Sequence, residues 1–190
     1  MQPTALDDLF EAWSPHEAQL LLTHGQTENQ VIRIWDQNAG KMIAEIPAMG
    51  HAGTIYPVDN WSPDGSHNVI FSENEVAQIW ETETWTHQMD LIGHEAQITG
   101  VSWAPDGQQL VTGSQDGTAR VWNAINGEII YAPLEHDSPV ISIAWSPNGK
   151  YIATGSEDKF VRVWEAQSGQ LLHKAFFKYL SPRAAPLRAI

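Results

Sequence analysis

The chain has 190 residues, with 23 acidic side chains against 10 basic ones, no cysteine and nine tryptophans. The missing thiols exclude disulfides, thiolate metal sites and a cysteine nucleophile, and a net charge of −13 argues against a phosphate-backbone binder, which needs a basic face. No apolar run approaches the roughly 18 residues of a membrane-spanning helix, and Met1 to Asp8 lack the basic and apolar regions of a secretory signal, so a cytoplasmic location is expected.

The charge is uneven. Residues 1–170 carry 6 basic and 23 acidic side chains, whereas 171–190 carry Lys174, Lys178, Arg183 and Arg188 and no acid. An acidic body repels nucleic acid and anionic membrane and attracts basic partners.

Along the chain the tryptophans form two combs. Trp61, Trp103 and Trp145 are spaced by 42 residues, as are Trp80, Trp122 and Trp164; Trp13 and Trp35 extend the combs upstream at spacings of 48 and 45. A unit of about 42 residues is therefore repeated four times. The third unit reads Gly93-His94, Ile98 to Gly107, and Gln109 to Trp122. The fourth repeats it through His136, Val140 to Gly149, and Tyr151 to Trp164. Each holds four short β-type runs divided by turn chemistry. Pro105-Asp106-Gly107 and Pro147-Asn148-Gly149 mark a first turn, Gln115-Asp116-Gly117 and Glu157-Asp158-Lys159 a second, Asn126-Gly127 and Ser168-Gly169 a third. Three hairpins in series make a four-stranded antiparallel meander.

The Gly-His start, the Ser-Pro-Asp-Gly type of turn, the Thr-Gly-Ser-x-Asp strand end and the closing Trp resemble the WD-repeat β-propeller family, over roughly residues 10–175. The resemblance implies an all-β fold of four-stranded blades around a central channel, as an open arc or part of a larger ring. Strands are expected at 5–13, 19–23, 31–35 and 42–46; at 55–61, 67–72, 76–80 and 86–91; at 97–103, 109–114, 118–122 and 129–133; and at 139–145, 151–156, 160–164 and 170–176. The blades span about 1–47, 48–92, 93–134 and 135–175, followed by an off-pattern basic tail, 176–190.

The resemblance also implies a buried hydrogen-bond network in each blade. Unit three supplies His94, Thr112, Asp116 and Trp122, and unit four His136, Thr154, Asp158 and Trp164. Unit two keeps His51 and Trp80, but Asn74 replaces the Asp and Ile70 the Thr. Unit one keeps only Trp35, with Asn29 and Gly25 in place of the polar pair. Those two blades are expected to be the less stable half. Because His51, His94 and His136 occur once per repeat, they should not converge on a metal. No nucleophile elbow, phosphate loop or dinucleotide fingerprint is present. Catalysis, metals and cofactors are not expected.

The resemblance places Gln97, Thr99, Pro139 and Ile141 on inner strands at the channel's rim, and Glu28, Glu73, Gln115 and Glu157 on the second turns. Three glutamates would form an acidic arc. The expected function is a non-catalytic scaffold binding protein or peptide partners, basic ones above all, and neither nucleic acid nor membrane. The alternative is a sensor or regulatory module of a larger signalling enzyme. Four blades leave terminal faces uncovered, to be met by further blades of a longer protein, by a homodimer forming an eight-bladed ring, or by tightening into a four-bladed ring. The incomplete first repeat and the off-pattern tail favour the first.

Overall fold

A computed structural model describes residues 10–15, 19–24, 30–48, 60–71 and 75–177. Among them every regular element is a strand. β1 (Phe10–Trp13), β2 (Gln19–His24), β3 (Gln30–Asp36) and β4 (Lys41–Ala48) form one antiparallel sheet in chain order. β5 (His67–Phe71), β6 (Ala77–Glu81) and β7 (Thr86–Leu91) form the second, to which Trp61 adds an isolated bridge with Asn68. The third comprises β8 (Ile98–Trp103), β9 (Gln109–Ser114), β10 (Thr118–Asn123) and β11 (Leu134–Glu135). The fourth comprises β12 (Val140–Trp145), β13 (Tyr151–Ser156), β14 (Phe160–Glu165) and β15 (Leu171–Phe176). Each sheet is one blade.

Two expectations need adjustment. Of the strand at 55–61, residues 55–59 lie outside the described residues. The strand expected at 129–133 does not form as a run: Ile129 makes only a bridge to Trp122, the Ile130 amide bonds the Val121 carbonyl, and regular pairing resumes at Leu134. Pro133 has no N–H for the ladder, and the Tyr131 hydroxyl instead donates to the Ala166 carbonyl of the fourth blade at 3.2 Å. Burial pushes the Tyr131 phenol up to about 12. At the far end β15 closes at Phe176, and the Phe177 amide still bonds the Lys159 carbonyl; residues 178–190 of the expected tail lie outside the described residues.

The turns follow from local chemistry. In Ser62-Pro63-Asp64-Gly65, Asp64 Oδ1 accepts bonds from the Ser62 hydroxyl (2.7 Å) and from the Ser66 amide and hydroxyl (3.0 and 2.8 Å), and Gly65 takes φ 73°. The Ser62 hydroxyl, followed by the Ser66 donors, lowers the Asp64 pKa to about 2. Asn148 holds the fourth blade's turn in the same way, bonded by the Ser146 hydroxyl and the Lys150 amide.

Alternation along the strands gives each sheet two apolar faces, so consecutive blades bury a core between them. Ile32, Ile34 and Ile46 of the first blade pack with Trp61, Ile70 and Trp85 of the second. Val69, Ile79 and Leu91 of the second pack with Trp103, Leu110 and Trp122 of the third. Val111, Val121 and Leu134 of the third pack with Ile152, Trp164 and Ala166 of the fourth. Gly113 belongs to the last interface: a Cβ there would lie 2.8 Å from Val140 Cγ1 of β12, so only glycine allows the approach.

Candidate functional site: a pinned rim above buried polar networks

The third blade assembles a continuous chain of hydrogen bonds. Trp122 Nε1 donates to Thr112 Oγ1 at 2.8 Å, Thr112 Oγ1 donates to His94 Nε2 at 2.8 Å, and His94 Nδ1 donates to Asp116 Oδ2 at 2.8 Å. The Thr112 oxygen already accepts from the indole, so its proton faces Nε2 and the histidine carries its own proton on Nδ1. Burial opposes ionisation of Asp116, but bonds from Thr118, the Glu95 amide and His94 outweigh it and keep the carboxyl below its ordinary range. Burial also depresses the His94 pKa. The network is neutral at its histidine and negative at its aspartate.

The fourth blade departs from the expected set. Trp164 Nε1 donates to Thr154 Oγ1 at 2.9 Å, and Thr154 meets His136 Nε2 at 2.7 Å. His136 Nδ1, however, donates to the Leu134 carbonyl at 2.9 Å. Asp158 pairs with Arg162 instead, its Oδ2 2.6 Å from Nη2, with both side chains buried. Arg162 takes the Oδ2 position that His94 Nδ1 holds on Asp116 in the third blade, and the bond that the Thr118 hydroxyl gives to Asp116 Oδ1 has no counterpart at Phe160. Burial of Asp158 is outweighed by the Arg162 bond and by the Phe160 and Asp137 amides, which hold its carboxyl far below the usual range. Burial, followed by the Arg162 charge, depresses the His136 pKa.

In the second blade Ile70 occupies the threonine position, and Trp80 Nε1 is buried with no partner. His51 and Asn74, like Gly25 and Asn29 of the first, lie outside the described residues.

These networks pin the turns at one end of the blades. The Gln115 amide bonds the Gln97 carbonyl, and the Glu157 amide bonds the Pro139 carbonyl. The side chains there face solvent: Gln97, Gln115, Ile141 and Glu157 are exposed, with Glu95 and Asp137 beside them, while Pro139 is half-buried. Gln115 Nε2 also donates to Gln97 Oε1 at 3.0 Å. Thr99 differs, because its hydroxyl donates to the Val140 carbonyl at 2.7 Å and ties β8 to β12. Glu28 and Glu73 lie outside the described residues. Among the described residues no group of three or more His, Asp or Glu side chains converges on a possible metal position.

The "WD domain, G-beta repeat" family model matches residues 85–123 and 127–165, the third and fourth units of the comb with the last turn and strand of the blade before each. The chain carries WD40 repeats. The "Anaphase-promoting complex subunit cdh1" of Dictyostelium discoideum is 31% identical over 90 residues, covering 46% of this chain and 11% of that protein. The WD-repeat chain thus spans about a tenth of the curated relative's length. WD repeats build scaffolds for protein interaction, and the all-β blades described above are propeller blades of that kind.

One structural residue escaped the sequence reading. Trp85 belongs to neither comb, yet it is buried between the first two blades. At the end opposite the rim, the blades leave a cleft of about 370 Å³ lined by Trp13, Pro15, Trp61, Pro63 and Trp103. The repeating Pro turns signal it only as turns.

Proposed function

We propose that this WD-repeat chain is a non-catalytic scaffold that binds a basic segment of a protein partner across the rim and channel mouth. The observation that carries the reading is the pairing of rigidity with exposure. Turns fixed by buried Asp116 and Asp158 present Glu95, Gln97, Gln115, Asp137 and Glu157 at one end of adjacent blades. Holding the turns that carry these side chains in place beforehand lowers the ordering cost of binding, and the Glu95 and Glu157 carboxylates steer a cationic segment toward them, Asp137 being already paired with Arg162 and Lys174 at 3.4 and 3.5 Å. The curated relative is named as a subunit of a complex, which accords with a role in assembly.

The test is titration calorimetry with a Lys/Arg-rich peptide against the chain and its Glu95→Lys/Glu157→Lys variant. Kd should weaken by about tenfold at low salt, with the gap narrowing near 1 M as the charges are screened, and the unfolding midpoint should stay unchanged. Equal affinity of both proteins would overturn the rim as the binding surface.

A further inference from the structure

Where the second turn of the fourth blade enters β14, strand pairing sets two phenyl rings and two cations on one side of the sheet. Phe160 of β14 lies opposite Phe176 of β15, and Arg162 lies opposite Lys174; residues in direct register project to the same side. Trp164 shares that side and packs against the third blade. The two rings meet edge to face, with centroids 5.5 Å apart and planes at 68°. The Lys174 ammonium stands 4.3 Å from the Phe160 centroid and 3.5 Å from Asp137 Oδ2. In the third blade the corresponding pair is Thr118 and Glu135, so the blade itself does not call for the rings.

Asp137 sits on the rim, its amide bonded to Asp158 Oδ2 and its side chain 77% exposed. Arg162 also reaches it, at 3.4 Å, but the Arg162 charge is already matched by the buried Asp158 at 2.6 Å. Once that buried pair cancels, the Asp137 carboxylate answers to Lys174. A carboxylate and the face of a half-buried phenyl ring thus converge on one ammonium. Those are the groups that recognise a lysine head, one by its charge and the other by the negative face of its π-system.

We propose, resting on the reading of the rim as a site for a basic segment, that Asp137 and Phe160 form a lysine subsite of that rim. Lys174 fills it from within the chain until the ammonium of a partner displaces it. The internal hold is weak. Lys174 is 37% exposed at its side chain, an exposed ion pair and an exposed cation–π contact each contribute little, and the flexible four-carbon stem lets the head swing into water. Self-occupation weakens the partner's apparent Kd in proportion to the fraction of chains left open, about fivefold for contacts of this strength. Displacement of Lys174 hands Asp137 to the partner alongside Glu95 and Glu157.

The test is titration calorimetry of a lysine-rich peptide against the whole chain and Lys174→Met, which keeps an unbranched stem and removes the charge. Kd should tighten about fivefold at low salt. Lys159→Met removes the same charge from the adjoining turn and should tighten Kd by less than about twofold. Phe160→Leu added to Lys174→Met should return most of the gain; if circular dichroism shows that pair unfolded, Asp137→Asn in the same background takes its place. In the wild-type chain the Lys174 methylene protons beside the ammonium should be shifted upfield by the Phe160 ring, and should return to their ordinary position as peptide saturates the rim. Peptide binding that leaves those signals unmoved would overturn the subsite, as would a Lys174→Met gain no larger than that of Lys159→Met; either leaves the scaffold reading standing. Binding by Lys174→Met alone would support complete self-occupation, and binding by neither protein would overturn the subsite and the scaffold reading together.

Discussion

Trp85 Nε1 donates to Gln19 Oε1 at 3.2 Å, joining the turn between β6 and β7 to the start of β2. Gln19 Nε2 donates in return to the Thr82 carbonyl of the same turn at 3.1 Å. Trp85 reaches this position at a backbone cost. Its φ is 53°, and the three matching turns place Gly40, Gly127 and Gly169 there, at φ 62°, 72° and 71°. The ring recovers that cost by burial against Trp61, edge to face at 5.7 Å.

Two substitutions to glycine should therefore act in opposite directions. Trp85→Gly relieves a strained backbone worth about 1 kcal/mol but removes a buried indole, for a net loss of about 3 kcal/mol. Lys159 also sits in the left-handed region, at φ 71°, where the matching residue of the third blade is Gly117. Its side chain is exposed, so Lys159→Gly should gain about 0.5–1 kcal/mol. Urea unfolding of both variants measures the difference. A stabilised Trp85→Gly would mean that the ring contributes nothing between the blades.

Acid should weaken the fold before it protonates the carboxylates. His94 and His136 both lie below the ordinary value of 6.5, chiefly through burial. As pH falls past 6.5 the unfolded chain takes up protons that the folded one refuses. The unfolded state thus binds more protons, and stability declines with falling pH across that window. Asp116, held below 3.8 by its hydrogen bonds against burial, adds a second loss as pH falls from its ordinary range toward its folded value. Urea midpoints should be level above about pH 7.5 and fall between 6.5 and 5. His94→Gln should lower the plateau and flatten part of that slope. A midpoint constant from pH 7 to pH 5 would remove the buried neutral histidines from the account.

Much of this architecture was legible, for a physical reason. The repeat forces the same side chain into the same environment every 42 residues, so the combs of Trp61-Trp103-Trp145 and Trp80-Trp122-Trp164 locate strands before any coordinate does. What a repeat pattern hides is the exception. Trp85 stands where the other units carry glycine, and no periodicity marks it. The exchange of His136 for Arg162 at Asp158 is hidden because both units carry the same residue types there, His94 and Arg120 in one and His136 and Arg162 in the other. Pro133 broke β11 because a missing donor outweighed the apolar run before it.

The Asp158–Arg162 pair should be costly to cut on one side and cheaper to remove whole. Both side chains are buried, and Asp137 reaches the same guanidinium at 3.4 Å. Arg162→Met leaves the buried Asp158 carboxylate without its cation and should cost about 3 kcal/mol or more, whereas Asp158→Asn, which leaves Arg162 the exposed Asp137, should cost less. The double variant should cost less than the two losses added together, by about 1–3 kcal/mol. The exposed Arg33–Glu45 pair, at 2.9 Å, should show a coupling of under about 1 kcal/mol. A double-mutant cycle by urea denaturation gives both couplings, and additive losses at Asp158 and Arg162 would contradict the direct contact.

Asn68 is the converse case, a polar group whose removal should help. Its residue is buried on β5, paired in register with Trp80, and neither amide atom has a hydrogen-bond partner. The matching positions of the third and fourth blades hold Leu110 and Ile152, both 0% exposed. A buried amide without partners costs about 1–3 kcal/mol, whereas leucine would add apolar contact at the first interblade core. Asn68→Leu should therefore raise the urea midpoint by the equivalent of about 2 kcal/mol, while Leu110→Asn should lower it by at least as much. If both substitutions destabilise, Asn68 is satisfied in solution, and the Trp80 indole left without an acceptor by Ile70 is then the unpaired buried group to test in the second blade.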